Sequence, residues 1–244
     1  MPLSTTPSGA AGRASLPVIV VTGMAFEARI ARGEGVEVVY AARADLLQRA
    51  LSAAVARGCA GIMSFGTAGG LAPDLEPGSI IVADAVEGPL GRLQTDRAWA
   101  ERLEAALTAG PLKARLRRGL VAAVTAPLVS ADDKSVLHRS TGALAVDMES
   151  HIAGATAAAQ GVPFAVCRAI VDPAWRTLPS AATAGLRDDG STALGPILRE
   201  LLRQPSQLAA LIQVAVDARA ARGALVQARR AMTEAGALRM GAAV

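Results

Sequence analysis

The sequence has few of the residues that build metal, redox and nucleic-acid sites. It contains two cysteines and two histidines, and aromatic residues make up 2% of its 244 positions. Cys59 and Cys167 fall on different predicted elements, so we expect reduced thiols, and the isolated His138 and His151 argue against a His-based metal site. So few aromatic rings exclude the stacking platforms that bind single-stranded nucleic acid.

Long apolar runs are also missing. Hydrophobic residues reach 52%, yet no run approaches the roughly 18 residues needed to cross a bilayer. The apolar stretch Leu16–Val21 is too short for a signal-peptide core and leads into glycine and charged residues, so we interpret it as a first strand. We therefore expect a cytoplasmic protein. The small and polar residues of segment 1–15 predict a disordered N-terminus.

What the sequence does contain is a regular alternation of strand and helix patterns. Apolar runs predict strands at Pro17–Val21, Val36–Ala41, Gly61–Phe65, Ser79–Val86, Leu120–Thr125 and Phe164–Val171. Helical patterns lie between them at Arg43–Arg57, Thr95–Ala109 (with Thr95 as N-cap) and Asp132–Arg139. This order predicts one three-layer α/β domain over 16–205, with a mostly parallel or mixed central sheet and helices on both faces. Two helices are predicted after the last strand, roughly Ser191–Arg203 and Ser206–Met232, with Pro205 between them, and the second belongs to a helical extension over 206–244.

The segment Ala143–Asp172 is the most informative part of the chain. It reads as a short strand, an acidic pair (Asp147 and Glu149), an alanine-rich helix that stops at Gly161, and a buried strand ending on Asp172. In parallel sheets the ligand crevice lies outside the carboxyl ends of the strands. We expect Glu149 and Asp172 at one rim of the sheet, on two neighbouring strands. Either acid alone could equally be a helix cap or a turn residue.

Two further segments follow predicted strands. Gly66-Thr67-Ala68-Gly69-Gly70 places three glycines where the backbone could approach an oxyanion or phosphate, although it matches no P-loop or dinucleotide fingerprint and could be a simple turn. Glu27 lies in the first turn of a predicted helix, where the helix dipole favours a negative charge. From the local sequence alone, Glu27 reads as a surface residue.

Together these segments resemble a known family. GTAGGLAPDLEPGSIIVAD, AVDMES and CRAIVDPA are similar to the three signature blocks of the nucleoside phosphorylase and methylthioadenosine/S-adenosylhomocysteine nucleosidase superfamily, and GMAFEA resembles its N-terminal glutamate turn. The match runs over about 17–205 in the same order. Within the superfamily, TGMAFEARIA, DPAWRTLP and LRELLRQPSQLAAL most resemble the hopanoid-associated phosphorylases, also called adenosylhopane nucleosidases.

The resemblance implies a role for each matching residue. Asp172 would protonate or hydrogen-bond the purine at N7, and Glu27 would activate water. Glu149 would accept hydrogen bonds from the ribose hydroxyls, with Met148 against the sugar. Gly66, Thr67, Ala68, Gly69 and Ser130 would line the substrate site. The resemblance implies no cofactor and no metal, a homo-oligomer, and, if the enzyme is a phosphorylase, inorganic phosphate held by Arg29 and Gly69.

The chemistry calls for the same residue types. Cleavage of an N-glycosidic bond passes through an oxocarbenium-like state and needs an acid on the leaving group. Desolvation by Ile170, Val171 and Pro173 would raise the pKa of Asp172 and favour the acid role. Pairing with Arg168, four residues earlier and on the same face of a regular strand, would lower that pKa instead.

Three departures from the family pattern bear on the substrate. Val171 precedes the acid where nucleosidases of this group usually have serine. Asp132-Asp133-Lys134 offers no aromatic residue to stack on adenine, and Trp175 either substitutes for it or anchors the loop by packing. The stretch between Asp84 and Gly119 is shorter than in small-molecule nucleosidases, which would leave the 5′ side open to a bulky apolar group such as hopane.

Three functions follow as hypotheses. The first is release of adenine from adenosylhopane, giving a ribosyl or phosphoribosyl hopane. The second is a methylthioadenosine/S-adenosylhomocysteine nucleosidase or purine nucleoside phosphorylase acting on soluble substrates. The third is a catalytically silent nucleoside- or lipid-binding scaffold, which would not need both Glu149 and Asp172.

The C-terminal segment allows two interpretations. The apolar spacing of Leu208, Leu211, Ile212, Ala215 and Val216 predicts a helix that packs on the core. Arginines follow this stripe, and a lipid-linked nucleoside would lie in a membrane. The alternative is therefore that this basic helix contacts an anionic membrane at the inner face.

Overall fold

The computed structural model describes residues 16–183 and 194–239. The segment 1–15, predicted to be disordered, and the predicted helix start at Ser191 lie outside these ranges. The strands of the described residues are β1 (Val18–Thr22), β2 (Val36–Tyr40), β3 (Gly61–Gly70), β4 (Ile80–Gly88), β5 (Gly91–Gln94), β6 (Leu116–Ala123), β7 (Ala145–Asp147) and β8 (Phe164–Asp172). The helices are α1 (Ala25–Ala31), α2 (Ala44–Val55), α3 (Arg97–Thr108), α4 (Ala131–Thr141), α5 (Ser150–Gln160), α6 (Ser180–Thr183), α7 (Leu194–Arg203) and α8 (Leu208–Glu234), with short 3-10 turns at Lys113–Arg115 and Pro205–Gln207.

The strands form one mixed sheet in the order β2-β1-β3-β7-β6-β4-β5, and β8 pairs with both β3 and β4. Because β7 also pairs with β3, the strands β3, β8, β4, β6 and β7 close into a ring. The pairs β1–β3, β3–β8, β4–β6 and β6–β7 are parallel, while β3–β7 and β4–β8 are antiparallel. This arrangement confirms the predicted α/β domain with a mixed sheet.

Helices cover both faces of the sheet, each over its own apolar cluster. On one face, α1, α3 and α8 pack on residues that include Phe65, Trp99 and Leu225. On the other face, α2 and α5 pack on a cluster that includes Leu51 and Ala153. Trp99 is fully buried, and its indole Nε1 donates to the carbonyl of Ala237 at 2.9 Å, which fastens the end of the described chain to the core.

Three predictions of local structure were wrong. The predicted strand Gly61–Phe65 was too short, because β3 continues through the glycine segment to Gly70 and pairs there with β7 and β8, which excludes the alternative of a simple turn. The N-cap of α3 is Asp96, whose carboxylate accepts from the backbone of Trp99, while the Thr95 hydroxyl donates to carbonyls of β4. The acid-bearing strands β7 and β8 are not neighbours, since both flank β3.

The prediction that the apolar stripe of the last helix packs on the core was also wrong. Leu208, Ile212 and Val216 are 50%, 56% and 57% exposed. The core is contacted instead by the second half of α8, through Ala221, Ala224, Leu225, Ala228 and Met232. The first half of α8 therefore presents an apolar stripe to solvent. Across the two described ranges, the helices are too short or too polar to span a bilayer.

Candidate active site

A cavity of about 180 Å³ lies at the carboxyl ends of β1, β3, β7 and β8. Four acidic residues line it: Glu27 from the helix after β1, Asp147 from the end of β7, Glu149 from the start of α5, and Asp172 from the end of β8. Carboxyl ends of strands are the usual place for ligand sites in α/β sheets. The structure thus brings together Glu149 and Asp172, which the sequence placed at one rim, and adds Glu27, whose place in the site only the family resemblance implied.

Glu27 is held by four hydrogen bonds. Its Oε1 accepts from the backbone N–H and the hydroxyl of Thr67, both at 2.7 Å, and its Oε2 accepts from the N–H groups of Gly23 (3.2 Å) and Met24 (3.0 Å). The bond to Met24 is part of a capping box, in which the glutamate at the third helical position accepts from the backbone N–H of the N-cap residue. Glu27 is only 1% exposed, so the surface-residue interpretation was wrong. Burial raises the pKa of the Glu27 carboxyl, while the Arg168 charge and the Thr67 hydrogen bonds oppose the rise.

Arg168 is a fully buried cation at the centre of the acidic cluster. Its Nε lies 2.7 Å from Asp147 Oδ2, and one terminal nitrogen lies 3.1 Å from Glu149 Oε2. The same nitrogen donates to the hydroxyl of Ser64 at 2.6 Å. Arg168 therefore pairs with Asp147 and Glu149, not with Asp172. A regular strand would put residues 168 and 172 on one face, but β8 has a register shift that leaves Val171 between paired residues.

Glu149 and Asp147 are both paired with the same cation, Arg168. Burial, together with the charges of Asp147 and Glu27, raises the pKa of Glu149 to about 7, although Arg168 opposes the rise. An ionised Glu149 can accept two hydroxyl donors, whereas the protonated form loses that capacity. The carboxylate also limits its neighbours, because a Cβ on Gly23 would lie 2.3 Å from Glu149 Oε1.

Asp172 forms a buried ion pair with Lys134, which reaches it from α4. Burial is the larger influence and raises the pKa of Asp172 above its ordinary value, while Lys134 opposes the rise. A carboxyl that keeps its proton to higher pH is suited to act as a general acid. Sequence reasoning did not find Lys134, because the segment was searched only for an aromatic side chain.

The glycines of β3 allow these side chains to approach the strand closely. A Cβ on Gly66 would lie 2.7 Å from Glu27 Oε2 and 2.8 Å from a terminal nitrogen of Arg168. A Cβ on Gly69 would meet both carboxyl oxygens of Asp172 at 3.4 Å. Gly66 therefore lies against both Glu27 and Arg168 rather than in the cavity wall.

The other residues singled out from the sequence divide into two groups. Met148, Thr67, Ala68 and Gly69 line the cavity. Three others do not: Arg29 is exposed on α1, Trp175 is 50% exposed, and the Ser130 hydroxyl accepts from the N–H groups of Asp132 and Asp133 as the N-cap of α4. This placement does not support a phosphate site at Arg29. Trp175 neither lines the cavity nor packs as a buried anchor.

Comparison with known sequences decides the family. The sequence profile described as Phosphorylase superfamily matches residues 14–203. The chain belongs to the phosphorylase superfamily. Among curated proteins, none matches this sequence.

Solved structures show the same fold at low sequence identity. The 5′-methylthioadenosine/S-adenosylhomocysteine nucleosidase of Helicobacter pylori superposes with a TM-score of 0.63 at 14% identity, over 91% of this chain and 99% of the other. The futalosine hydrolase of the same organism gives a TM-score of 0.57 at 17% identity, over 66% of this chain and 89% of the other. At such identities the similarity shows the fold.

Membership of the phosphorylase superfamily confirms the prediction of an enzyme that cleaves N-glycosyl bonds. Inorganic phosphate as a co-substrate is compatible with this superfamily. The hopanoid-associated subgroup, its lipid-linked substrate and the residue roles remain proposals.

The raised pKa of Glu149 predicts a pH dependence of substrate binding by this phosphorylase-superfamily site. If Glu149 holds the ribose hydroxyls, as the family resemblance implies, KM should fall as pH rises through about 7, because the ionised form that accepts both hydroxyls gains population over that range. We expect the Glu149→Gln variant to have a higher KM that no longer changes near pH 7. Initial rates at several pH values measure both, and an unchanged pH dependence in the variant would refute the assignment.

Proposed function

We propose that this protein hydrolyses the N-glycosidic bond of adenosylhopane, releasing adenine and leaving a ribosyl hopane. The observation that carries the proposal is that two buried carboxyl groups, Glu27 and Asp172, line one cavity, and burial raises the pKa of both. Asp172 can protonate the leaving group, and Glu27 can accept a proton from the attacking water. Cleavage through an oxocarbenium-like state requires both functions.

The proposed step moves two protons and exchanges one bond. Asp172 donates its proton to purine N7 as the bond between the anomeric carbon and N9 breaks. Water forms the new bond to the anomeric carbon and gives a proton to Glu27. Glu149 holds the ribose 2′ and 3′ hydroxyls, and Met148 packs against the sugar.

The contacts of Glu27 favour hydrolysis over phosphorolysis. The backbone N–H and hydroxyl of Thr67, which could otherwise bind phosphate, both donate to Glu27. No lysine or arginine is among the described residues that line the cavity, and a buried carboxylate at this point would repel a phosphate dianion. Water is therefore the nucleophile that this site suits best.

The apolar side of the cavity supports a bulky apolar 5′ substituent. Val124, Pro127, Leu128 and Leu178 line this side. Next to them Val129 is 37% exposed and Trp175 is 50% exposed, and the two loops that carry them are joined by the bond from Leu178 N–H to the Val129 carbonyl at 2.9 Å. A hopane group would cover such a surface, whereas a methylthio group would leave most of it in water.

The test compares two substrates in detergent: adenosylhopane and methylthioadenosine. We expect adenine release from adenosylhopane with the larger kcat/KM. Faster release from methylthioadenosine would make this protein a nucleosidase of soluble substrates. No release from either would support a catalytically silent scaffold and refute the proposal.

We further propose that the exposed stripe of α8 contacts the anionic membrane that holds such a substrate. Leu208, Ile212 and Val216 follow one another at i, i+4 spacing, and Arg219 lies one turn further along the same face. The exposed Arg199 and Arg203 lie on the preceding helix. An apolar stripe flanked by arginines suits an anionic interface. The surface is linked to the site loop, since Asp217 pairs with Arg176 at 2.8 Å.

Vesicle flotation tests this surface with the full chain, because truncation would remove the core residues of α8. We expect wild-type protein to float with phosphatidylglycerol vesicles and to stay behind with phosphatidylcholine vesicles. The Ile212→Asp/Val216→Asp double variant should lose flotation. Val226→Asp is the matched control, because Val226 is 49% exposed elsewhere on the same helix. Equal recovery of all three proteins, or a stripe buried in a stable homodimer, would refute membrane contact.

A further inference from the structure

Lys134 is a fully buried lysine whose three donors all have acceptors. Its Nζ contacts Asp172 Oδ2, the carbonyl of Pro173 at 3.2 Å and the carbonyl of Arg176 at 3.0 Å. An ammonium group has three hydrogens to donate, so none is left for a ligand. Lys134 also does not line the cavity. It therefore acts on the site through Asp172 and the loop that follows.

The loop after Asp172 is also joined to the residues that lead into α4, just before this lysine. The N–H of Ala131 donates to the Thr177 hydroxyl at 3.2 Å, and the N–H of Leu178 donates to the Val129 carbonyl at 2.9 Å. Within the loop, the N–H of Arg176 donates to the Pro173 carbonyl at 3.0 Å. Lys134 provides the charged contact of this junction.

We propose that Lys134 is the positioning residue of the leaving-group acid, because its three contacts fix the Asp172 carboxyl and the loop that follows in one arrangement. This inference rests on the proposed acid role of Asp172. It assigns Lys134 a function that a lysine with merely structural contacts would not have.

The direction of the effect follows from the charges around Asp172. Burial raises its pKa, and Lys134 is the largest opposing influence. Asp217, which also raises that pKa, faces Asp172 from α8 and is paired with Arg176. The other charged residues that line the cavity are Glu27, Asp147 and Glu149, and Arg168 pairs with Asp147 and Glu149 without lining the cavity itself. Removal of Lys134 leaves burial unopposed, so the pKa of Asp172 should rise further.

The experiment is the pH profile of kcat for adenine release by Lys134→Met. Activity that needs protonated Asp172 is lost as pH rises through the pKa of that group. We expect the pH at which activity falls on the alkaline side, called the alkaline limb, to rise by roughly one to three pH units. A shift of this size is typical when an opposite charge at contact distance is removed. We also expect plateau kcat to fall on the order of tenfold, because the carboxyl is less well oriented.

Two controls separate this role from a loss of folding. Lys113→Met removes an exposed lysine and should leave the profile unchanged. If Lys134→Met does not fold, Lys134→Gln keeps donors for the Pro173 and Arg176 carbonyls and should move the limb in the same direction. A lower kcat with an unmoved limb would overturn the proposal.

Carbon-13 NMR of aspartate-labelled protein monitors the titration of Asp172 directly. It compares wild type with Lys134→Met without measuring catalytic activity. A wild type that releases no adenine would refute the proposed function. A titration of Asp172 at the same pH in wild type and Lys134→Met would refute the positioning role, whatever the activity.

Discussion

Replacement of Asp172 with asparagine should lower kcat for adenine release by roughly 10²- to 10⁴-fold, the usual contribution of a general acid. The amide cannot give a proton to N7, but its oxygen can still accept from Lys134. Alanine is a poorer choice, because removing one member of a buried ion pair costs about 3–5 kcal/mol of folding free energy. Steady-state adenine release together with thermal unfolding measures both effects.

The matched control for Asp172→Asn is Asp133→Asn. Asp133 is exposed on α4, next to Lys134 in sequence, and does not line the cavity. The same change of charge there should leave kcat unaltered. An Asp172→Asn variant that releases adenine at the wild-type rate would remove Asp172 from the mechanism.

Replacement of Glu27 with glutamine should lower kcat by a similar factor, roughly 10²- to 10⁴-fold, because the amide cannot take a proton from water. It should also destabilise the fold by about 1–3 kcal/mol, since the glutamine NH₂ would face backbone N–H donors on either side. Glu27 accepts from Thr67 on one oxygen and from Gly23 and Met24 on the other, so neither orientation of the amide satisfies all of them.

The pH profile adds a second check on Glu27. Its ionised form is the base, and burial raises its pKa, so wild-type activity should be lost as pH falls through that raised value. Glu34→Gln is the control, because Glu34 is exposed just beyond the same helix. If Glu27→Gln kept wild-type kcat and the same acid limb, another group would have to activate water.

Much of the fold could be predicted because its strands are strong local signals. The apolar runs at β1 and β8 predicted buried strands, and both are buried throughout or nearly so. The short edge strand β5 (GRLQ) was missed because an exposed strand carries no apolar run. The glycine segment of β3 was not predicted as strand, since its strand conformation depends on pairing with β7 and β8 rather than on propensity.

Glu149 and Asp172 were predictable from the sequence pattern, whereas Glu27 was assigned to the site only through the family resemblance and the partners of the acids were not predicted. Glu27, Glu149 and Asp172 each follow a strand, and strand ends converge. The partner of each acid depends on three-dimensional contacts. The register shift at Val171 separates Asp172 from Arg168. Lys134, which is 38 residues away in sequence, pairs with Asp172 instead. No local pattern in Asp132-Asp133-Lys134 marks the lysine as buried.

The C-terminal helix shows the limit of periodicity. Apolar residues at i, i+4 spacing predict an amphipathic helix, and α8 is one helix from Leu208 to Glu234. Periodicity does not say what covers the apolar face. The face made of alanines, Leu225 and Met232 is less hydrophobic in sequence, yet it contacts the core. The more hydrophobic stripe of Leu208, Ile212 and Val216 remains exposed.

The most direct test of the account is adenine release measured with and without inorganic phosphate, with mass spectrometry of the sugar product. Hydrolysis predicts the same rate in both conditions and a free ribosyl product that carries no phosphoryl group. A rate that requires phosphate, with a phosphoribosyl product, would contradict the role of Glu27 and make this protein a phosphorylase.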